Sequence, residues 1–212
     1  MNSPIAFQTL NLPAHCSFHE ADWFLLAKYW YPIARSVDVG EQPVKATLLD
    51  EALVMYRINQ ELVVAKDACP HRGVPLTLGK HDGEGVVCPY HGLRFGEHGH
   101  CNRIPSSPNQ AIPSKLNLTT FPSVERYGLI WTCLLPQGDT DIPSTPLWDE
   151  TDVQHVVCPA VDIAAFAGRQ VEGFLDVAHF AWVHQQSFAD AENPVVPKYT
   201  TERTAYGLHT EY

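Results

Sequence analysis

Two short runs constrain this chain more than any other feature: Cys69-Pro70-His71 and, after the sixteen residues Arg72 to Val87, Cys88-Pro89-Tyr90-His91. Each puts a thiol and an imidazole on one loop, and two such loops make a donor set for metal. Thiolates stabilise ferric iron, and imidazoles keep the total charge low. Two cysteines on one iron and two histidines on the other iron of a 2Fe-2S cluster therefore give a raised potential suited to reversible one-electron transfer. A glycine lies just beyond each histidine, Gly73 and Gly92, where backbone can approach a cluster closely and point N–H groups at sulfur. The same four donors suit a tetrahedral Cys2His2 zinc site, but the glycine loops have no role in one.

The remaining composition narrows the class. Of 212 residues, 45% are hydrophobic, with 9 Phe, 8 Tyr and 5 Trp, so the chain can bury a core and disorder is excluded. Subtracting 24 acidic from 14 basic side chains leaves a net charge of −10, with no run of Lys or Arg, which argues against nucleic acid and against an anionic membrane surface. The apolar stretch Leu129 to Leu135 is far short of the roughly 18 residues that span a bilayer. A cytoplasmic protein is expected, with its six cysteines reduced. Cys16, Cys101, Cys133 and Cys158 have no partner at metal-binding spacing and read as plain thiols.

Residues 1–27 read as an N-terminal arm followed by a short helix, Glu20 to Tyr29, carrying Trp23, Leu25 and Leu26. Short β-prone runs follow at Ile33 to Val37, Lys45 to Leu49, Leu53 to Ile58 and Leu62 to Lys66, the last two joined by an Asn59-Gln60 turn. Further strands are expected at Val86 to Cys88, Leu93 to Phe95 and Tyr127 to Leu134. Residues 28–136 should thus form a small antiparallel sandwich or barrel. The proline-rich stretch from Pro136 to Pro146 has linker chemistry, so residues 137–212 begin a second unit, with a strand at His155 to Val161 and a helix from Gly168 to about Val183. The class is α+β.

That helix carries a second constellation. Glu172, Asp176, His179 and His184 follow one another at offsets of four, three and five. At about 100° per residue the first three share a helix face, whereas His184 lies about 140° from His179. A kink or π-type extra residue between Phe180 and Val183 is needed to turn both imidazoles to one metal.

Cys69-Pro-His-Arg-Gly73 and Cys88-Pro-Tyr-His-Gly92 resemble the Rieske iron-sulfur domain, and the likeness extends from Trp30-Tyr-Pro to Glu125-Arg-Tyr-Gly-Leu-Ile-Trp131. Respiratory Rieske proteins add a disulfide-forming cysteine to each loop. Here Val74 and Tyr90 stand in those places, which points to the oxygenase or ferredoxin branch. The run from Glu172 to His184 resembles the mononuclear iron motif of Rieske non-heme iron oxygenases. The loop from Pro70 to Gly79 is most similar to the aromatic-acid monooxygenase and O-demethylase branch, such as vanillate demethylase.

The resemblance implies an antiparallel β Rieske domain followed by the start of an α+β catalytic domain. Cys69, His71, Cys88 and His91 would hold a 2Fe-2S cluster, and His179 and His184 a mononuclear non-heme Fe(II). Asp176 would bridge to a histidine of a Rieske cluster in the neighbouring subunit of a homotrimer. Electrons from a reductase or ferredoxin would pass to an iron that activates O2 on a small aromatic substrate, hydroxylating or demethylating it. The family's third iron ligand is a carboxylate far downstream, whereas Asp190, Glu192, Glu202 and Glu211 lie close behind His184. The chain is therefore expected to be part of a longer oxygenase. Two other readings are a Rieske ferredoxin with an appended helical segment and a zinc-binding interaction module.

Overall fold

Leu53, Val54, Met55 and Tyr56 are consecutive, apolar and all fully buried, which a strand achieves only when both of its faces are covered. In a computed structural model of the chain, which describes residues 10–137, 141–204 and 207–211, they form the centre of β3. Strands β1 (Tyr31–Arg35), β2 (Val44–Leu48), β3 (Glu51–Ile58) and β4 (Glu61–Lys66) follow helix α1 (Glu20–Leu26). β2, β3 and β4 make one antiparallel sheet, with β3 in the middle. Alternation along β3 feeds two cores. Val54, Tyr56 and Ile58 join Val86, Phe95 and the two cluster-loop cysteines, while Leu53 and Met55 join Trp23 and Ile130.

The first of these cores is closed by a four-stranded antiparallel sheet of β5 (Lys80–His81), β6 (Val86–Val87), β7 (Arg94–Phe95) and β8 (Cys101–Arg103). The second is closed by α1 and by the sheet in which β1 pairs with β10 (Leu129–Thr132) and β10 with β9 (Ser123–Arg126). Glu20 and Asp22 suit the positive end of α1, and its Trp23 donates a hydrogen bond from Nε1 to the Leu49 carbonyl at 2.8 Å. The expected Asn59-Gln60 turn has both residues at positive φ, 50° and 69°. An equivalent turn at Leu49-Asp50 joins β2 to β3, with φ of 49° and 63°. Two-residue turns of this handedness match the twist of the strands they connect. The Asp50 carboxylate accepts from both the N–H and the hydroxyl of Ser17, each at 2.7 Å.

The chain divides into two compact units, Met1–Ala160 and Val161–Tyr212. Residues 1–9 of the expected N-terminal arm and residues 138–140 of the expected linker lie outside the described residues. No strand forms at His155 to Val161. Pro159 has no N–H to give a ladder, and His155 instead stacks on Trp148, ring centroids 4.1 Å apart, which in turn meets Tyr127 edge-on. The single helix expected from Gly168 to Val183 is two, α2 (Ala167–Leu175) and α3 (Phe180–Val183). An antiparallel hairpin of β11 (Thr200–Thr204) and β12 (Gly207–Glu211), absent from the sequence reading, completes this α+β chain. No helix among the described residues is long and apolar enough to cross a membrane.

Candidate metal centres

The two cysteine loops are built alike. In each, the cysteine N–H donates to the carbonyl five residues on, Cys69 to Val74 at 2.9 Å and Cys88 to Leu93 at 2.8 Å. The glycine four residues on donates back to the cysteine carbonyl, Gly73 at 2.7 Å and Gly92 at 3.0 Å. This closure needs a left-handed residue at its end, and the glycines supply it with φ of 73° and 72°. The intervening amides are left free to face inward, and those of His71 and Arg72 donate to the Cys69 thiol. Such amides favour thiolate, as a cluster sulfur ligand requires.

Cys69 and Cys88 are buried, 3% and 2% exposed, and their side chains hydrogen-bond to each other. His71 and His91 are exposed, with ring centroids 4.7 Å apart. The donors thus form an inner sulfur pair and an outer nitrogen pair. That arrangement fits a two-metal cluster with two protein ligands per iron better than one tetrahedral zinc. Asp67, which sequence reasoning passed over, anchors the first loop: its buried carboxylate accepts from the Thr77 N–H at 2.9 Å and hydroxyl at 2.6 Å. A charged residue two positions ahead of Cys69 was the available cue. Cys16, Cys101, Cys133 and Cys158 are free thiols.

Burial pushes the Cys69 thiol up to about 11 from an ordinary 9.0, and it also raises Cys101, Cys133, Tyr31 and Tyr56. The unfolded chain releases these protons first. Stability of the cluster-free protein should therefore be intact below about pH 9 and fall as pH rises towards about 11. Thermal unfolding of metal-free protein across that interval checks this, and a flat melting temperature would contradict it.

In the second unit the break between α2 and α3 falls at 176–179, ahead of His179 rather than between Phe180 and Val183. Its cause is local. Asp176 is extended, with φ −86° and ψ 117°, and its Oδ1 accepts the Ala178 N–H at 2.8 Å, a turn that competes with helix. His179 precedes α3 and His184 follows it, and their ring centroids lie 5.3 Å apart. Asp176 Oδ2 stands 3.5 Å from His179 Nδ1. Phe188 stacks on the His184 ring, centroids 4.9 Å apart at 22°. Glu172 turns away from this group and pairs with Arg169 at 2.6 Å. The structure thus brings the His179 and His184 rings near each other with Asp176 beside His179, but among the described residues the three do not converge as a group that could hold one metal ion.

The Rieske [2Fe-2S] domain family matches residues 29–122. Methylxanthine N1-demethylase NdmA of Pseudomonas putida is 35% identical over 182 residues, covering 81% of this chain and 52% of that protein. The oxygenase component of dicamba O-demethylase from Stenotrophomonas maltophilia is 43% identical over 103 residues, 48% of this chain and 30% of that protein. The solved structure of NdmA from Pseudomonas putida CBB5 matches with a TM-score of 0.76 at 31% identity, over 90% of this chain and 59% of that one. The chain spans about half the length of NdmA, the curated relative that it matches most extensively among these.

Proposed function

We propose, for a chain that carries a Rieske domain and is related to the oxygenase components of Rieske non-heme iron oxygenases, that it supplies the electron-carrying domain and the histidine pair of such a component. Residues 28–136 are the cluster domain, preceded by an arm and helix at 1–27. Residues 137–212 are linker and the beginning of the catalytic domain. One observation carries the reading: structural similarity to NdmA covers 90% of the chain, far more than the Rieske match over residues 29–122, and the segment beyond that match holds two imidazoles, His179 and His184, with ring centroids 5.3 Å apart. A ferredoxin accounts only for residues 29–122.

Cys69 and Cys88 are the inner ligands of the cluster, and His71 and His91 the outer ones. When bound, the cluster supplies one-electron transfer at a raised potential, and a ferrous iron at His179 and His184 supplies the dioxygen chemistry. The buried thiols keep water from the sulfur side, while the exposed imidazoles face the route by which electrons enter and leave. Asp176 holds the proton on His179 Nδ1, leaving Nε2 for metal, and its backbone turn aims the ring. In a homotrimer of the intact protein the same carboxylate reaches a histidine of the neighbouring cluster. The donor is a reductase or ferredoxin. The substrate is a small methylated aromatic compound, a class suggested by the methylxanthine and dicamba demethylases.

Ferrous-iron titration of the cluster-loaded chain tests this against the ferredoxin alternative. His179→Ala, His184→Ala and Asp176→Asn should each weaken binding of an extra iron about 10–100-fold and leave the visible absorption of the cluster unchanged. If the unaltered chain binds no iron beyond its cluster at any concentration, the ferredoxin reading prevails.

A further inference from the structure

Tyr90 lies inside a cluster loop and is 60% exposed, an unusual position for a large ring. Its ring lies over that of His91, centroids 3.9 Å apart and planes 35° apart. His91 also meets the His71 ring, so it is flanked by two rings. Among the described residues the Tyr90 hydroxyl makes no hydrogen bond, which leaves the ring face as the contact that orients the side chain. The other loop has Arg72, not an aromatic residue, beside its histidine. The backbone closures tie each loop to itself but do not restrain the imidazoles.

We propose that Tyr90 is a positioning residue for the cluster, its ring stacking on His91 to fix the imidazole and to keep water from one side of the outer iron site. The inference rests on the ligand set proposed above. Reduction adds one electron and so one negative charge to the cluster, and water stabilises the more highly charged state. A ring that excludes water therefore holds the reduction potential down, and it also slows ligand loss by limiting rotation of His91.

The test uses the full 212-residue chain with its cluster, reduced by one electron from dithionite, in Tyr90→Ala, Tyr90→Phe and His91→Ala forms. Tyr90→Ala should shift the midpoint potential upward and shorten the lifetime of the visible absorption under chelator about tenfold. Tyr90→Phe keeps the ring and should restore both to the unaltered values. An unchanged potential or an unchanged lifetime in Tyr90→Ala overturns the proposal, as does a Tyr90→Phe form that behaves like Tyr90→Ala. His91→Ala separates the two levels: if it retains a normal cluster, the ligand set itself is wrong. Because Tyr90 is exposed, the melting temperature of the metal-free variants should match that of the unaltered chain.

Discussion

Cys69→Ser should yield a folded but colourless chain. The sulfur it removes is half of the inner pair, 3% exposed and in hydrogen-bond contact with Cys88, with the amides of His71 and Arg72 aimed at it. A serine oxygen reaches less far and stays protonated where a ligating thiol would ionise, so the pocket keeps its amide donors but loses the anion they stabilise. Water cannot replace the sulfur in so closed a site. Loss of cluster iron and sulfide should be near complete, larger than for any change at the exposed histidine pair's surroundings. Cys101→Ser is the control. Its thiol is also buried, but it faces the Arg103 carbonyl at 3.7 Å and belongs to the strand core rather than to a loop tip. It should retain the full visible spectrum, whereas equal bleaching in both variants would mean that the cluster responds to core damage and not to ligation at residue 69.

The legible parts of this molecule were those where local pattern and tertiary demand agree. The run from Leu53 to Ile58 is apolar but for Arg57, β-branched in part and bounded by turn residues, so its strand was readable within two residues. The Cys69–His71 and Cys88–His91 runs stand out because residue type and spacing are both distinctive, and the structure places them on two loops of the same build with the two histidine rings 4.7 Å apart. The Leu49-Asp50 turn was not readable, since Leu49 disfavours positive φ and Asp50 alone is a weak turn cue; the conformation is imposed by the strands on either side and by the Ser17 contacts of Asp50. β5 and β8 are built mostly of polar residues, Lys80, His81, Asn102 and Arg103, so no apolar run marks them, unlike the equally short β6 and β7. His155 to Val161 failed in the opposite direction: a strand is expected there, but no partner edge receives it and Trp148 takes the histidine instead. The need for a break near the second histidine pair followed from helix geometry, but its location did not. Sequence spacing treated Asp176 as a helix-face acid, whereas its side chain bonds its own backbone and ends α2 there.

That break bears on how much metal the chain can keep. Purified residues 1–212 should carry about two irons and about two acid-labile sulfides per chain, the content of a complete 2Fe-2S cluster, and little of a third iron. Both loops of the cluster domain are closed and their four donors are gathered, so assembly there needs nothing further from the second unit. The second centre has two imidazoles and, within the described residues, no carboxylate converging with them, since Asp176 is turned to His179 Nδ1 and to the Ala178 amide. Two neutral ligands leave both charges of a ferrous ion uncompensated and one facial position unfilled, so its dissociation should be fast. With a reductase and methylated purines or methoxylated aromatic acids, formaldehyde release should stay at background while the reductase still bleaches the cluster. The two centres are thereby separated in one preparation: reduction without turnover follows from a filled first site and an open second one. About three irons per chain with product formation coupled to oxygen uptake would overturn this, and would mean that a carboxylate of this chain or of a second copy moves in to complete the site.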